Sequence, residues 1–277
     1  MPPSELKDFS RLAIHTITTR PWSLEECIDH YQEAGVGGIT VWRNVLEPLG
    51  AEAAGKRLAA SDLEVVALVR GGFFPGASAK EREAAIEENK RCIDEAAAVG
   101  APMVVLVCGA IPGMPLAEAR RQITDGIAAV VPHAEANNVQ LAIEPLHPMY
   151  AADRSAVNTM AQARAICKEI AHPFVGIAVD VYHLWWDPDL EAEIRLAGQM
   201  KTLFAFHICD WRVETRDLLN DRGLMGEGCI DIPTIRGWAE DAGFAGWNEV
   251  EIFSDEKWGM DQRQFVGDIK RAYLDHT

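Results

Sequence analysis

Short apolar runs alternate along the chain with longer segments in which apolar residues return at helical spacing. Leu12 to Thr18, "GGITVW", "EVVALVRGG", "MVVLVCG", Val139 to Glu144, "FVGIAVD", "TLFAFHI" and "WNEVEIFS" read as successive strands. Between them the helical signals are explicit. Ser23 followed by Glu26 fits a capping box, Gly35 and Gly100 close helices, and Asp231 can cap another. Pro132 falls inside the segment "LAEARRQITDGIAAVVPHAEANN" and is expected to kink it or to start a new segment. Strands alternating regularly with helices predict a (β/α)8 TIM barrel, one domain over residues 1–277. An open doubly wound sheet would need a switch point and usually a glycine-rich first turn, whereas the first strand here leads into "TTRPW".

The ends of the strands change the picture from fold to chemistry. The fifth run ends at Glu144, the sixth at Asp180, the seventh at His207, and the eighth places Glu251 similarly. Burying four ionisable groups separately is costly, and converging them on one cation removes much of that cost. Three carboxylates and an imidazole suit a hard-to-borderline divalent ion: Mn²⁺ first, with Mg²⁺, Co²⁺ or Zn²⁺ as substitutes. Side chains alternate along a strand, so Ala142, Ala178 and Ala205 share a face with these groups, while Ile143, Val179 and Phe206 point the other way. That division fits a barrel with helices outside and a site at its carboxyl end. Glu249 falls on the inner face one layer below Glu251, where it either pairs with a buried arginine or marks a different register.

Other residues at the same end have two readings each. His183, three residues after Asp180, either packs on Trp185 or Trp186 or donates a hydrogen bond to a substrate oxygen. His147, three after Glu144, is either a satisfied loop histidine or a general acid. Arg43 and Arg70 end strands on the site side, as surface cations or as contacts to a substrate anion or carboxylate. Trp42 and Trp185 offer apolar walls of the kind against which sugars stack.

Composition bounds the partners. The 277 residues carry a formal charge of −16, which opposes phosphate-backbone binding and hence a nucleic-acid partner. The six cysteines show no CxxC pair, consistent with reduced thiols and a cytoplasmic protein. The start "MPPSELKDFS" has no basic run leading into an apolar one, and no stretch is long enough for a membrane span. A small-molecule carbohydrate is the expected partner, and a homo-oligomer stays open.

The ladder "AIEPLHP", "DVYHLWWD", "FHICDW", "GEGCID" and "EVEIF" resembles the xylose isomerase-like barrel superfamily, the sugar phosphate isomerase/epimerase group, over nearly the whole chain. The resemblance implies that Glu144, Asp180, His207 and Glu251 hold the metal, that His183 touches substrate, and that Glu144 and Glu251 move a proton between the faces of a sugar. It implies a metal-dependent isomerase or epimerase working through an enediolate. There are departures. Where the epimerases carry an arginine six residues after the strand-seven histidine, this chain has Val213, with Arg212 and Arg216 on either side. Arg212 is the expected substitute. His147, Arg43 and Arg70 lie outside the epimerase pattern, which leaves a lyase (decarboxylase, dehydratase or other cleaving enzyme) acting on an oxo-sugar or oxo-sugar acid as the alternative. Endonuclease IV-like action would need a three-metal cluster with extra histidines and a DNA-binding face, and it is set aside.

Overall fold

The computed structural model describes residues 6–277, so the first residues of "MPPSELKDFS" lie outside it. Eight parallel strands close into a barrel: β1 Leu12–His15, β2 Gly38–Trp42, β3 Glu64–Gly72, β4 Met103–Val107, β5 Gln140–Glu144, β6 Val175–Asp180, β7 Leu203–Ile208 and β8 Asn248–Val250. Each pairs with its sequence neighbours, and β1 closes the ring against β8, with Leu12 opposite Asn248 and Ile14 opposite Val250. The surrounding helices are α1 Leu24–Glu33, α2 Ala51–Ala59, α3 Ala79–Val99, α4 Leu116–Ala136, α5 Met160–Ile170, α6 Leu190–Gln199, α7 Ile232–Asp241 and α8 Gln262–His276.

Local sequence explains the boundaries. Ser23 and Glu26 form the reciprocal capping box at α1, and Ser78 and Glu81 repeat it at α3. Gly100 ends α3 in the left-handed conformation, and Asp231 accepts the Thr234 amide at the start of α7. Pro132 does not split α4, which runs as one element from Leu116 to Ala136. β1 is shorter than its apolar run: the chain turns after His15, where the Thr18 amide donates to the His15 carbonyl.

Two packed layers follow from the strand period of two. Ala67, Val69, Met103, Val105, Ala142, Ala178 and Ala205 fill the inside of the barrel. Ile143, Val179, Phe206 and their equivalents face outward into the larger core shared with the helices. Alanine inside leaves room for the longer polar side chains two residues further on.

At the end of β3 the backbone passes close to β4. Gly72 has φ +109°, and a Cβ there would stand 1.9 Å from the Val107 carbonyl oxygen. Gly72→Ala should therefore lower stability by about 3 kcal/mol, through strain and overpacking together. A urea midpoint indistinguishable from that of the unchanged protein would contradict this close approach.

Candidate metal centre

Glu144, Asp180, His207 and Glu251 converge at the carboxyl end of the barrel, with ligand atoms all within 4.8 Å of one another. All four are buried. β5 and β6 end on Glu144 and Asp180, β7 carries His207 one residue before its end, and Glu251 follows β8 directly, its amide still bonded to the Ile208 carbonyl. His207 Nδ1 lies 3.0 Å from Glu144 Oε1, and its Nε2 has no hydrogen-bond partner. Burial pushes the Asp180 carboxyl up to about 7, Arg222 opposes this, and the nearby Glu251 and Glu144 charges add to it. Carboxylates crowded so that one resists ionisation, with a buried imidazole among them, form a donor set that suits a divalent cation.

A second buried layer supports this one. Glu249 does lie on the inner face, but it pairs with no arginine. Its Oε2 accepts from Thr40 Oγ1 at 2.5 Å and lies 3.4 Å from His15 Nε2 and 3.8 Å from His207 Nε2. His15 also reaches upward, with Nδ1 3.0 Å from Glu251 Oε1 and its ring edge-on to His207 at 4.7 Å. Burial alone would raise the Glu251 carboxyl, yet His15 and Arg222 hold it well below the usual carboxylate range. His15 repeats the inner-face step of the other strands, a small residue (Ala13) and then a polar one. Inside β1 it read only as a strand residue.

Arg222 is another functional-site residue that sequence reasoning missed. It is 3% exposed, and its Nη1 donates to Asp180 Oδ2 at 3.1 Å and to Glu251 Oε2 at 2.8 Å. Its Nη2 donates to His183 Nε2 at 3.2 Å, and its guanidinium lies over the Tyr182 ring at 4.4 Å. Because a guanidinium can only donate, His183 Nε2 accepts, which places the ring proton on Nδ1. Nδ1 is buried without a partner. Burial and then the Arg222 charge hold His183 well below the usual histidine range, so the ring is neutral.

The loop between β7 and β8 delivers Arg222. Asp210 and Trp211 pair antiparallel with Gly223 and Arg222, and the Asp210 carboxylate accepts the amides of Trp211, Gly226, Gly228 and Ile230 at 2.8–3.0 Å. The long excursion hides which arginine returns to the barrel. Val213 is 72% exposed. Arg212, the expected substitute, is held instead by Glu256, Glu227 and Asp221 on the outside of the loop. Arg216 pairs with Asp221 and Glu256.

The structure separates the remaining candidates. A cavity of about 310 Å³ opens onto Glu144 and Glu251 and is walled by Trp42, Arg70, His183 and Arg222 among others. A groove of about 650 Å³ continues outward from it past Trp42 and Arg70. Arg43 lines that groove and not the inner cavity, and its charge is matched by Glu95 at 2.6 Å and Glu88 at 2.8 Å on α3. His147 does not line the cavity. It caps the turn Pro148–Tyr150, its Nδ1 accepts from the Met149 amide, and its ring packs 5.0 Å from Trp211. Trp185 packs 5.7 Å from Trp211 and is not on the cavity wall either. Of the cysteines only Cys229 is exposed, and none is in a disulfide. Among the described residues no helix is long and apolar enough to cross a membrane.

A family model described as "Xylose isomerase-like TIM barrel" matches residues 28–270. A crystal structure of a protein from Sinorhizobium meliloti is 47% identical, covering 97% of this chain and 99% of that one, with a TM-score of 0.94. The IOLI protein, whose structure holds a binding zinc atom, is 21% identical with a TM-score of 0.84, covering 96% and 97% of the two chains. The 3-keto-D-glucoside 4-epimerase of E. coli is 19% identical with a TM-score of 0.76, covering 95% and 98%. No functionally curated protein matches the chain.

Proposed function

The chain belongs to the xylose isomerase-like TIM barrel family, and on that premise we propose that it is a divalent-metal-dependent enzyme that isomerises or epimerises a ketose or related polyol carbonyl compound. The observation that carries this reading is the convergence of Glu144, Asp180, His207 and Glu251 beside a cavity of sugar-binding size. Those four residues would hold the ion, Mn²⁺ first, since mixed oxygen and nitrogen ligation also accepts Mg²⁺, Co²⁺ or Zn²⁺. The ion, when bound, supplies Lewis acidity toward a substrate carbonyl. The names of distant relatives support the same chemistry, since two of the similar structures are sugar epimerases and a third holds zinc.

The protein's own side chains divide the remaining work. Glu144 has one oxygen on His207 and no protein hydrogen bond to the other, so it is the group positioned to take a proton from the carbon beside the carbonyl. Glu251 comes from the far side of the strand order, held ionised by His15 and Arg222, and stands as the partner acid/base on the opposite face. His183 lines the cavity as a neutral ring held by Arg222 and is placed to contact a substrate oxygen. Trp42 supplies an apolar wall.

A second reading, a metal-dependent lyase acting on an oxo-sugar acid, is favoured by one observation: Arg70 lines the cavity without a carboxylate partner. The test is a product-resolved screen of Mn²⁺-loaded protein in D₂O against ketoses, inososes, 3-oxo-glycosides and oxo-aldonic acids. The isomerase reading expects deuterium at the carbon beside the carbonyl and equilibration between two isomeric sugars. Release of carbon dioxide or water from an oxo-acid would retire it in favour of the lyase.

A further inference from the structure

Among the described residues, Arg20, Arg70 and Arg154 stand apart from the other arginines. Their guanidinia have neither an ion-pair partner nor a hydrogen-bond acceptor, and their recorded contacts are with aromatic rings. Arg20 lies over Trp258 at 4.8 Å, Arg70 over Phe73 at 4.5 Å and Arg154 over Tyr150 at 5.1 Å. In a chain with 42 acidic and 26 basic side chains, pairing is the easier outcome for an arginine. All three unpaired ones line the cavity at the metal centre or the groove that continues from it. Arg70 and Arg154 share the inner cavity with Glu144 and Glu251, and Arg70 stands at its junction with the groove.

Stacking on a ring fixes the plane of a guanidinium and leaves its N–H edges for an in-plane acceptor. Burial lowers the Arg70 guanidinium and the Arg154 charge adds to this, while Glu144 and Glu251 oppose it from across the cavity. Two guanidinia on one cavity wall, neither with a carboxylate partner, leave their N–H edges open to a shared oxyanion. Arg222 cannot serve, because Asp180 and Glu251 already take its charge.

We propose that Arg70 and Arg154 form a clamp for a terminal oxyanion, so that the substrate is an acidic or phosphorylated sugar with its charged end at the clamp and its reacting carbon between Glu144 and Glu251. A cavity of about 310 Å³ holds both ends, so the charge lies within one sugar length of the reacting carbon. Carboxylate and phosphate share the planar, bidentate recognition. The inference rests on reading the cavity as a carbohydrate site.

Equilibrium binding of three matched ketoses tests it: D-fructose, D-fructuronate and D-fructose 6-phosphate, each titrated calorimetrically into the Mn²⁺-loaded protein and into chelated protein. At least one charged ketose should bind ten times or more tightly than fructose. Arg70→Ala and Arg154→Ala should each weaken that ligand roughly ten- to hundredfold and leave fructose nearly unchanged, the loss of one charge-assisted contact. Arg154→Lys, which keeps the charge and loses the fork, should fall between. Tighter fructuronate identifies a carboxylate and tighter fructose 6-phosphate identifies a phosphate. Equal or undetectable binding of all three, or a charge preference that survives both alanine substitutions in protein with an unchanged melting temperature, overturns the clamp. Failure of the metal-enzyme reading looks different: the protein takes up no ion and turns nothing over, while the arginine-dependent preference persists.

Discussion

Glu251→Gln is expected to reduce kcat by about 10²- to 10⁴-fold, the range for removing a group that transfers a proton in the transition state. Glutamine keeps the shape and one oxygen for a ligand, so the substitution separates proton transfer from loss of the ion. The environment argues for a large effect. His15 Nδ1 and Arg222 Nη1 address the two carboxylate oxygens at 3.0 and 2.8 Å, and both contacts favour the ionised form that an amide lacks. Elemental analysis of the purified variant supplies the control. A variant with full metal content and kcat within about tenfold of the unchanged enzyme would remove Glu251 from the proton-transfer scheme.

Arg222→Met should be the most destabilising substitution in the site. Removing one partner of a buried ion pair leaves the other charge uncompensated, at a cost of about 3–5 kcal/mol. Arg222 answers both Asp180 and Glu251 from a position 3% exposed. The loss should depend on pH. Asp180 is pushed up to about 7 even with Arg222 present, by burial and by neighbouring carboxylates. A carboxyl raised in the folded state is comfortable while protonated and loses stability as pH rises through its folded value. Removing Arg222 raises that value further, so the Asp180 share of the deficit should widen as pH rises through 7 and above, on top of the Glu251 share already present near pH 5. Added Mn²⁺ should stabilise the variant more than the parent, because a cation then replaces the missing counter-charge. Denaturant melts of chelated protein at several pH values check the first part. A deficit under about 1 kcal/mol at pH 8 would contradict the proposed charge balance.

The barrel and the convergence of its four candidate ligands were legible because strand periodicity is local. Once Ile143, Val179 and Phe206 face the helices, Ala142 and Glu144, Ala178 and Asp180, and Ala205 and His207 must face inward. Closure of the ring then brings the strand ends together. Glu249 was placed on the correct face by the same rule, but its partners come from β1, β2 and β7, which no single strand discloses. His15 carried the inner-face signal in a strand too short to make the alternation plain. Arg222 was hidden for another reason. It sits in a loop, where spacing from His207 says nothing about where the chain returns. Only the Asp210 anchor and the short ribbon bring it back over the barrel, while Arg212 and Arg216 remain outside. Nothing in the sequence singles out Arg154, because lack of a partner can only be seen once all potential partners have been placed.

The alanines that line the barrel have a consequence for how the protein can vary. Ala142, Ala178 and Ala205 each lie two residues below a charged group, with Ala67 in the same interior cluster. A larger side chain at any of them would overpack the interior cluster and tilt the charged groups above, and glycine would loosen the strand that carries them. Positions so confined from both directions resist drift. The rim, by contrast, is built from loop and strand-end residues such as Arg70, Phe73 and Arg154 that bear little of the core. Inherited diversity in such a molecule should therefore collect at the mouth of the barrel, with the same inner ring kept beneath changing tastes in substrate.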